Sequence, residues 1–142
     1  MKKTLLVVAS LLVSTCLLAA AAPKPPAKNG AIERGRYLVE QVAACGECHT
    51  PRDAEGRLDN SRWLQGGPTW FTPIHASTTW AYSAPALAGL PSFSDQDMTT
   101  ILEKGLQPDG RPIRPPMHVY HLAPEDVQAI IAYLRSLAPL AR

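Results

Sequence analysis

Cys45-Gly46-Glu47-Cys48-His49 constrains this chain more than any other stretch of it. Two thiols at this spacing can add to the two vinyl groups of one haem. A histidine directly after the second thiol then lies under the iron and supplies an axial nitrogen. Order and spacing both matter, because a bare Cys-x-x-Cys also serves thiol redox chemistry and zinc binding. A structural zinc site needs two further Cys or His ligands at matching spacing, and no second Cys pair exists. A thioredoxin-like site sits in a βαβ pattern, which these flanks lack. The pentapeptide therefore predicts one covalently held haem c, with Cys45 and Cys48 as its attachment points and His49 as its first axial ligand.

The N-terminus reads as export machinery. Lys2 and Lys3 form a basic start, and residues 5–18 form an apolar run broken only by Ser10, Ser14, Thr15 and Cys16. Four alanines follow, ending at Pro23. Cleavage after Ala21 gives a small-x-small site and keeps Pro23 out of the first mature position. The division is then a signal peptide over residues 1–21, a Pro-rich linker over 22–30 and a single domain over 31–142. Two alternatives keep the protein on the membrane. An uncleaved leader would be nearly long enough to span a bilayer, and Cys16 would be a lipid-modified first residue. All three place the folded part in the periplasm, the compartment in which haem c is attached.

Charge excludes a nucleic-acid role. The chain has 14 Lys plus Arg against 12 Asp plus Glu, and the excess is Lys2 and Lys3, which leave with the leader. Two haem propionates would tip the mature protein slightly acidic. No basic cluster, Gly-rich phosphate loop or repeat is present. The mature chain makes one domain of modest buried area, so a large, flat, mostly apolar haem would supply much of its core.

Three helices are predicted. The first runs from about residue 31 to 44, capped by Asn29 or Gly30, with Ile32, Leu38, Val39 and Val42 as its apolar stripe and an Arg36–Glu40 pair one turn apart. Gly35 inside it costs about 1 kcal/mol relative to Ala, which implies a packing reason such as close approach of another helix. The second starts at Ser94 with Asp97 completing a cap-like pair, continues through Met98, Ile101 and Leu102, and stops at Gly105. The third begins near Pro124, with Glu125 and Asp126 at the positive end of its dipole. Val127, Ile130, Ile131, Leu134 and Leu137 make its buried face, with Tyr133 beside them, placed to pack over Gly35.

Residues 50–92 are rich in Pro and Gly and carry Trp63, Trp70, Trp80, Phe71 and Tyr82. A loop of that length in a small domain suggests that it wraps a ligand. Aromatic groups with one polar atom suit a haem edge, apolar against the porphyrin and donating to a propionate. The second axial position has several candidates. Met98 sits at core spacing in a helix and reads as packing. Met117 follows Pro115-Pro116 in a stiff loop ahead of the third helix, free of helical competition. His118 and His121 compete with it, and His75 does so more remotely.

These segments together resemble the class I c-type cytochromes, and more narrowly the small mono-haem cytochromes partnered with periplasmic dehydrogenases. The matching stretches are Gly35-Arg36-Tyr37-Leu38-Val39, Cys45 to Arg52, Pro115-Pro116-Met117 and residues 126–137. The resemblance implies an all-α class I cytochrome c fold, with about three core helices and long loops around one covalently bound haem. It implies that the terminal helices cross at Gly35 and Tyr133, that His49 and Met117 are the axial ligands, and that the Pro85 carbonyl accepts the His49 ring N–H. The loop after Thr50 is longer than in minimal members, Ala123 stands where Ser or Thr usually caps the helix, and His118 follows Met117 where Pro is common.

A His/Met pair fills both axial sites and favours the ferrous state, which suits single-electron transfer and not catalysis. The resemblance accordingly implies a non-enzymatic periplasmic carrier of iron-bound electrons. Its partners would be a dehydrogenase as donor and a respiratory-chain acceptor, with membrane contact only through a retained leader or lipidated Cys16. The alternative is a haem enzyme or a gas or redox sensor with a labile sixth ligand. No Ser/His/Asp or paired-carboxylate arrangement has supporting context.

Overall fold

The computed structural model describes residues 28–139. The leader, Cys16 and the proline-rich stretch 23–27 lie outside the described residues. Among the described residues, no helix is long and apolar enough to cross a membrane.

Helix α1 spans Lys28–Tyr37 and passes directly into a π-helical segment, Leu38–Val42. The helix thus begins before the expected position, with Asn29 and Gly30 inside it and not capping it. The first-turn N–H groups have no intrahelical partners in any case, so weak helix formers are tolerated there. The π widening is a second departure. Ala43 N–H donates to Leu38 O at 2.8 Å and Cys45 N–H to Val39 O at 3.0 Å, in place of the α register. This shift buries Leu38 and Val39 together and turns Val42, expected in the apolar stripe, out to solvent at 56% exposure. The Arg36–Glu40 pair is present at 3.6 Å.

Helix α2, Gly46–His49, is a single turn carrying the second half of the pentapeptide. Helix α3, Asp95–Lys104, opens on a reciprocal capping box: Ser94 Oγ accepts from Asp97 N–H at 3.1 Å, and Asp97 Oδ2 accepts from Ser94 N–H at 2.9 Å. Such a cap contributes about 1 kcal/mol. Gly105, left-handed at φ 68°, ends it. Helix α4, Pro124–Ser136, has no side-chain cap at Ala123 but starts with Pro124, Glu125 and Asp126.

The core is built on α4. Its Val127, Ala129, Ile130, Ile131, Tyr133 and Leu134 are all buried, while Leu137, expected to continue the stripe, follows the helix end half-buried. Helix α1 packs against one side of α4 and α3 against another. The α1–α4 crossing is close because residue 35 has no side chain: a β-carbon there would overlap the Ala129 carbonyl and lie 2.8 Å from Tyr133 Cβ. Arg34 and Asp126 pair across the crossing at 3.0 Å. At the far end Arg135 donates to the carbonyls of Gly89, Leu90 and Phe93 and pairs with Asp95, tying α4 to the start of α3.

The expected all-α architecture needs one amendment. The long loop contains a 3-10 turn, Asn60–Arg62, and a two-residue antiparallel ladder, β1 (Gly67–Pro68) with β2 (Ser83–Ala84), in the register Gly67 to Ala84. The ladder is too short to carry a hydrophobic alternation, so it leaves no periodic trace in the sequence.

Candidate haem site

The attachment turn is shaped by backbone geometry. After the π segment Ala44 takes φ 48°, a left-handed conformation that costs a non-glycine residue about 1–2 kcal/mol, and this swings the chain into α2. His49 N–H then donates to Cys45 O at 2.9 Å and Thr50 N–H to Gly46 O at 3.0 Å. Cys45, Cys48 and His49 consequently line one side of the turn, facing an apolar cavity of about 450 Å3. That volume lies in the range of cofactor sites, about 300–1,000 Å3.

The cavity brings the expected ligands together. Cys45, Cys48 and His49 line one wall, and Met117 and His118 come from the loop ahead of α4. Met98, Ile101 and Leu102 of α3 and Ile130 and Leu134 of α4 close it from the core side. Met98 is both core and cavity wall. Among the competing histidines, His75 is an exposed loop residue, and His121 is exposed with its Nδ1 at 3.1 Å from Glu103 O. Neither lines the cavity.

His49 is 8% exposed, and its Nδ1 lies 2.8 Å from Pro85 O. A carbonyl can only accept, so Nδ1 carries the proton and the Nε2 lone pair is left free. Burial lowers the His49 pKa, with the Pro85 hydrogen bond opposing it, so the ring is neutral and suited to a metal. Pro85 reaches this position because Gly66, at φ 75°, lets the hairpin base close in: a β-carbon there would sit 2.7–2.8 Å from backbone atoms of Ala84, Pro85 and Ala86. Gly66 N–H also donates to His49 O at 2.7 Å. Burial pushes the Cys45 thiol up to about 11 and raises Cys48 as well, with Glu47 adding to the latter. Both therefore rest as neutral thiols.

The long-loop aromatics divide by role. Phe71 lines the cavity, and Trp80 packs edge-on against it at 5.9 Å. Trp70 is 60% exposed beneath the Arg52 guanidinium, and Trp63 lies against Gly46 of the attachment turn. Trp80 Nε1 and Arg52 Nε are buried without a hydrogen-bond partner. A large apolar hollow, two thiols and a neutral imidazole with a free nitrogen together fit a haem. Two contributors escaped the sequence reading. Arg114 lines the cavity before Met117, and Tyr120 lines it while donating to Ala43 O at 3.1 Å. Burial, ahead of the two cysteines, pushes the Tyr120 phenol up to about 12.

Known proteins are similar to this chain in sequence. The Cytochrome c family profile matches residues 32–138. The chain is 40% identical over 108 residues to the diheme cytochrome c-type protein of Cereibacter sphaeroides, covering 72% of this chain and 34% of that protein. It is 36% identical to the fructose dehydrogenase cytochrome subunit of Gluconobacter japonicus, covering 73% of this chain and 21% of the relative. It is 32% identical to the gluconate 2-dehydrogenase cytochrome c subunit of Pantoea cypripedii, over 75% and 26% of the two chains. The chain spans at most 34% of the length of these three relatives. With its profile match running from α1 through α4 and across the attachment turn, the chain belongs to the cytochrome c family, electron-transfer proteins that hold haem c covalently.

Proposed function

We propose that this protein is a periplasmic single-electron carrier holding one haem c through Cys45 and Cys48, with His49 and Met117 as axial ligands. The observation that carries the reading is that Cys45, Cys48, His49 and Met117 all line one apolar cavity. When bound, the haem supplies a one-electron ferric–ferrous couple. The chain's own residues set its conditions. The Pro85 carbonyl holds the His49 ring in one tautomer and strengthens it as a donor. Once haem is bound, the Met117 thioether would favour the ferrous state and raise the potential. Ile101, Leu102, Ile130 and Leu134 exclude water from the core side.

The donor is a dehydrogenase and the acceptor a component of a respiratory chain. Support for the former comes from the resemblance to cytochrome subunits of fructose and gluconate dehydrogenases. The leader over residues 1–21 supports export.

Replacing Met117 tests the ligand set. The oxidised protein should show the weak near-red absorption of a thioether–iron bond. Met117→Ala should abolish it, lower the potential and admit carbon monoxide to the reduced protein. Met98→Leu should do none of these. An intact spectrum in Met117→Ala together with a disturbed one in His118→Ala would establish a bis-histidine site instead. Rapid carbon monoxide binding by the wild type would favour a catalytic or sensing role. Exported Cys45→Ala/Cys48→Ala protein should carry no haem that survives denaturation.

A further inference from the structure

The hairpin between β1 and β2 is bonded to the loop that carries Met117, and Arg114 makes most of the connection. The Arg114 carbonyl accepts Met117 N–H at 3.2 Å, closing a four-residue turn around Pro115 and Pro116. The Arg114 side chain bonds to the hairpin loop. Its Nε donates to Thr79 O at 3.0 Å and its Nη2 to Trp80 O at 2.5 Å. Beside them Ala81 N–H donates to Pro115 O at 2.7 Å. Three hydrogen bonds thus join residues 79–81 to residues 114–115, and two of them use a charged donor, the stronger kind.

The hairpin side of this junction is itself anchored. Thr69 N–H donates to Tyr82 O at 3.1 Å, and Trp80 packs on Phe71 at the cavity wall. A planar guanidinium bridging two successive carbonyls restricts the turn in a way that a single hydrogen bond does not.

We propose that Arg114 is a positioning residue for the sixth ligand: by clamping the Met117 turn to residues 79–81, just ahead of β2, it keeps the thioether on the iron. The proposal rests on the reading of Met117 as an axial ligand. An external ligand can enter only after Met117 leaves, so its entry rate reports how firmly the turn is held. Imidazole is the probe, because its neutral form feels no change in charge when Arg114 is replaced.

Stopped-flow mixing of imidazole with oxidised holoprotein at pH 8 tests this. Arg114→Ala should speed entry by about tenfold or more, the scale of one lost charged hydrogen bond. Arg114→Lys keeps the charge but cannot bridge two carbonyls, and should fall between wild type and Arg114→Ala. It also serves if the alanine variant fails to fold. Met117→Ala should bind fastest, and adding Arg114→Ala to it should change nothing further. A wild-type rate in both Arg114 variants, alongside fast entry in Met117→Ala, overturns the clamp and leaves the ligand reading standing. An equal acceleration by Arg114→Ala with and without Met117 also overturns it, since the effect would then be on access. Slow entry in Met117→Ala removes the ligand reading and the clamp with it.

Discussion

The six-membered edge of the Trp63 indole lies so close over Gly46 that a β-carbon on residue 46 would overlap it. Gly46 sits between the two cysteines, so this contact is one of those that join the haem-attachment turn to the rest of the domain. Trp63 also lines a small pocket with Tyr133 and Glu40, and the Tyr133 hydroxyl donates to Glu40 at 2.7 Å. The attachment turn is thereby braced against the α1–α4 crossing through one aromatic ring.

Gly46→Ala should therefore destabilise the holoprotein by about 1–3 kcal/mol, the usual cost of forcing a methyl group into a packed contact. A smaller partner should relieve it. In the Gly46→Ala background Trp63→Leu should cost less than it does alone. Thermal melts of the four holoproteins give the coupling, and additive losses would mean that the ring and the turn do not press on each other.

Gly35 meets backbone and not the end of a flexible side chain. Its added β-carbon would strike the Ala129 carbonyl, with Tyr133 Cβ at 2.8 Å behind it. Neither can move without displacing α4. Gly35→Ala should therefore cost more than Gly46→Ala, at or beyond the top of the range of about 1–3 kcal/mol. An unchanged melting temperature would mean that the two helices separate more easily than this crossing allows.

The contrast between these glycines bears on what the sequence discloses. Gly35 announces itself as a costly residue in a helical pattern, and the heptad-like stripe of α4 places Tyr133 opposite. Ser94, Asp97 and Gly105 mark α3 because caps are local chemistry written in adjacent residues. The pentapeptide is equally local. By contrast, the π segment Leu38–Val42 leaves the apolar period nearly intact while rotating Val42 outward, so periodicity alone reads it as ordinary helix. The Arg114 clamp acts on main-chain carbonyls, which every residue has, and so leaves no signature at residues 79–80. Gly46 looks like a free choice within Cys-x-x-Cys until the fold brings Trp63 over it.

Tyr133 should give the domain an alkaline limit. Burial comes first and the Glu40 hydrogen bond second in pushing its phenol from an ordinary 10.0 up to about 12. A folded-state value above the unfolded one means that the native protein holds the proton more tightly. The stability this contributes is fully present below about pH 10 and lost as pH rises towards 12. Tyr133→Phe should lower stability at pH 8 by about 1.5 kcal/mol, as for a hydrogen bond to a charged acceptor. The gap from wild type should shrink as pH rises above 10. Tyr120 ionises over the same span in both proteins, so the difference between them isolates Tyr133. Parallel curves from pH 8 to 11.5 would show that Tyr133 titrates alike folded and unfolded.

Removing the haem should undo one half of the domain more than the other. The hollow of about 450 Å3 is walled by α2, the hairpin, α3, the Met117 loop and, from α4, Ile130 and Leu134, whereas the crossing residues Gly35, Ala129 and Tyr133 lie outside it. Empty core volume costs about 24 cal/mol per Å3. Applied to this cavity, that is on the order of 10 kcal/mol as an upper bound, because solvent enters an open hollow. Even half of it is comparable with the whole stability of a small domain, about 5–15 kcal/mol. The Cys45→Ala/Cys48→Ala chain, freed of haem, should keep part of its helical far-ultraviolet signal. It should lose near-ultraviolet dichroism, bind a hydrophobic dye and melt without a sharp transition. Amide exchange should leave what protection remains in α1 and α4, with α3 and residues 67–84 open. A cooperative melt with native-like near-ultraviolet dichroism would show that the polypeptide closes this cavity by itself.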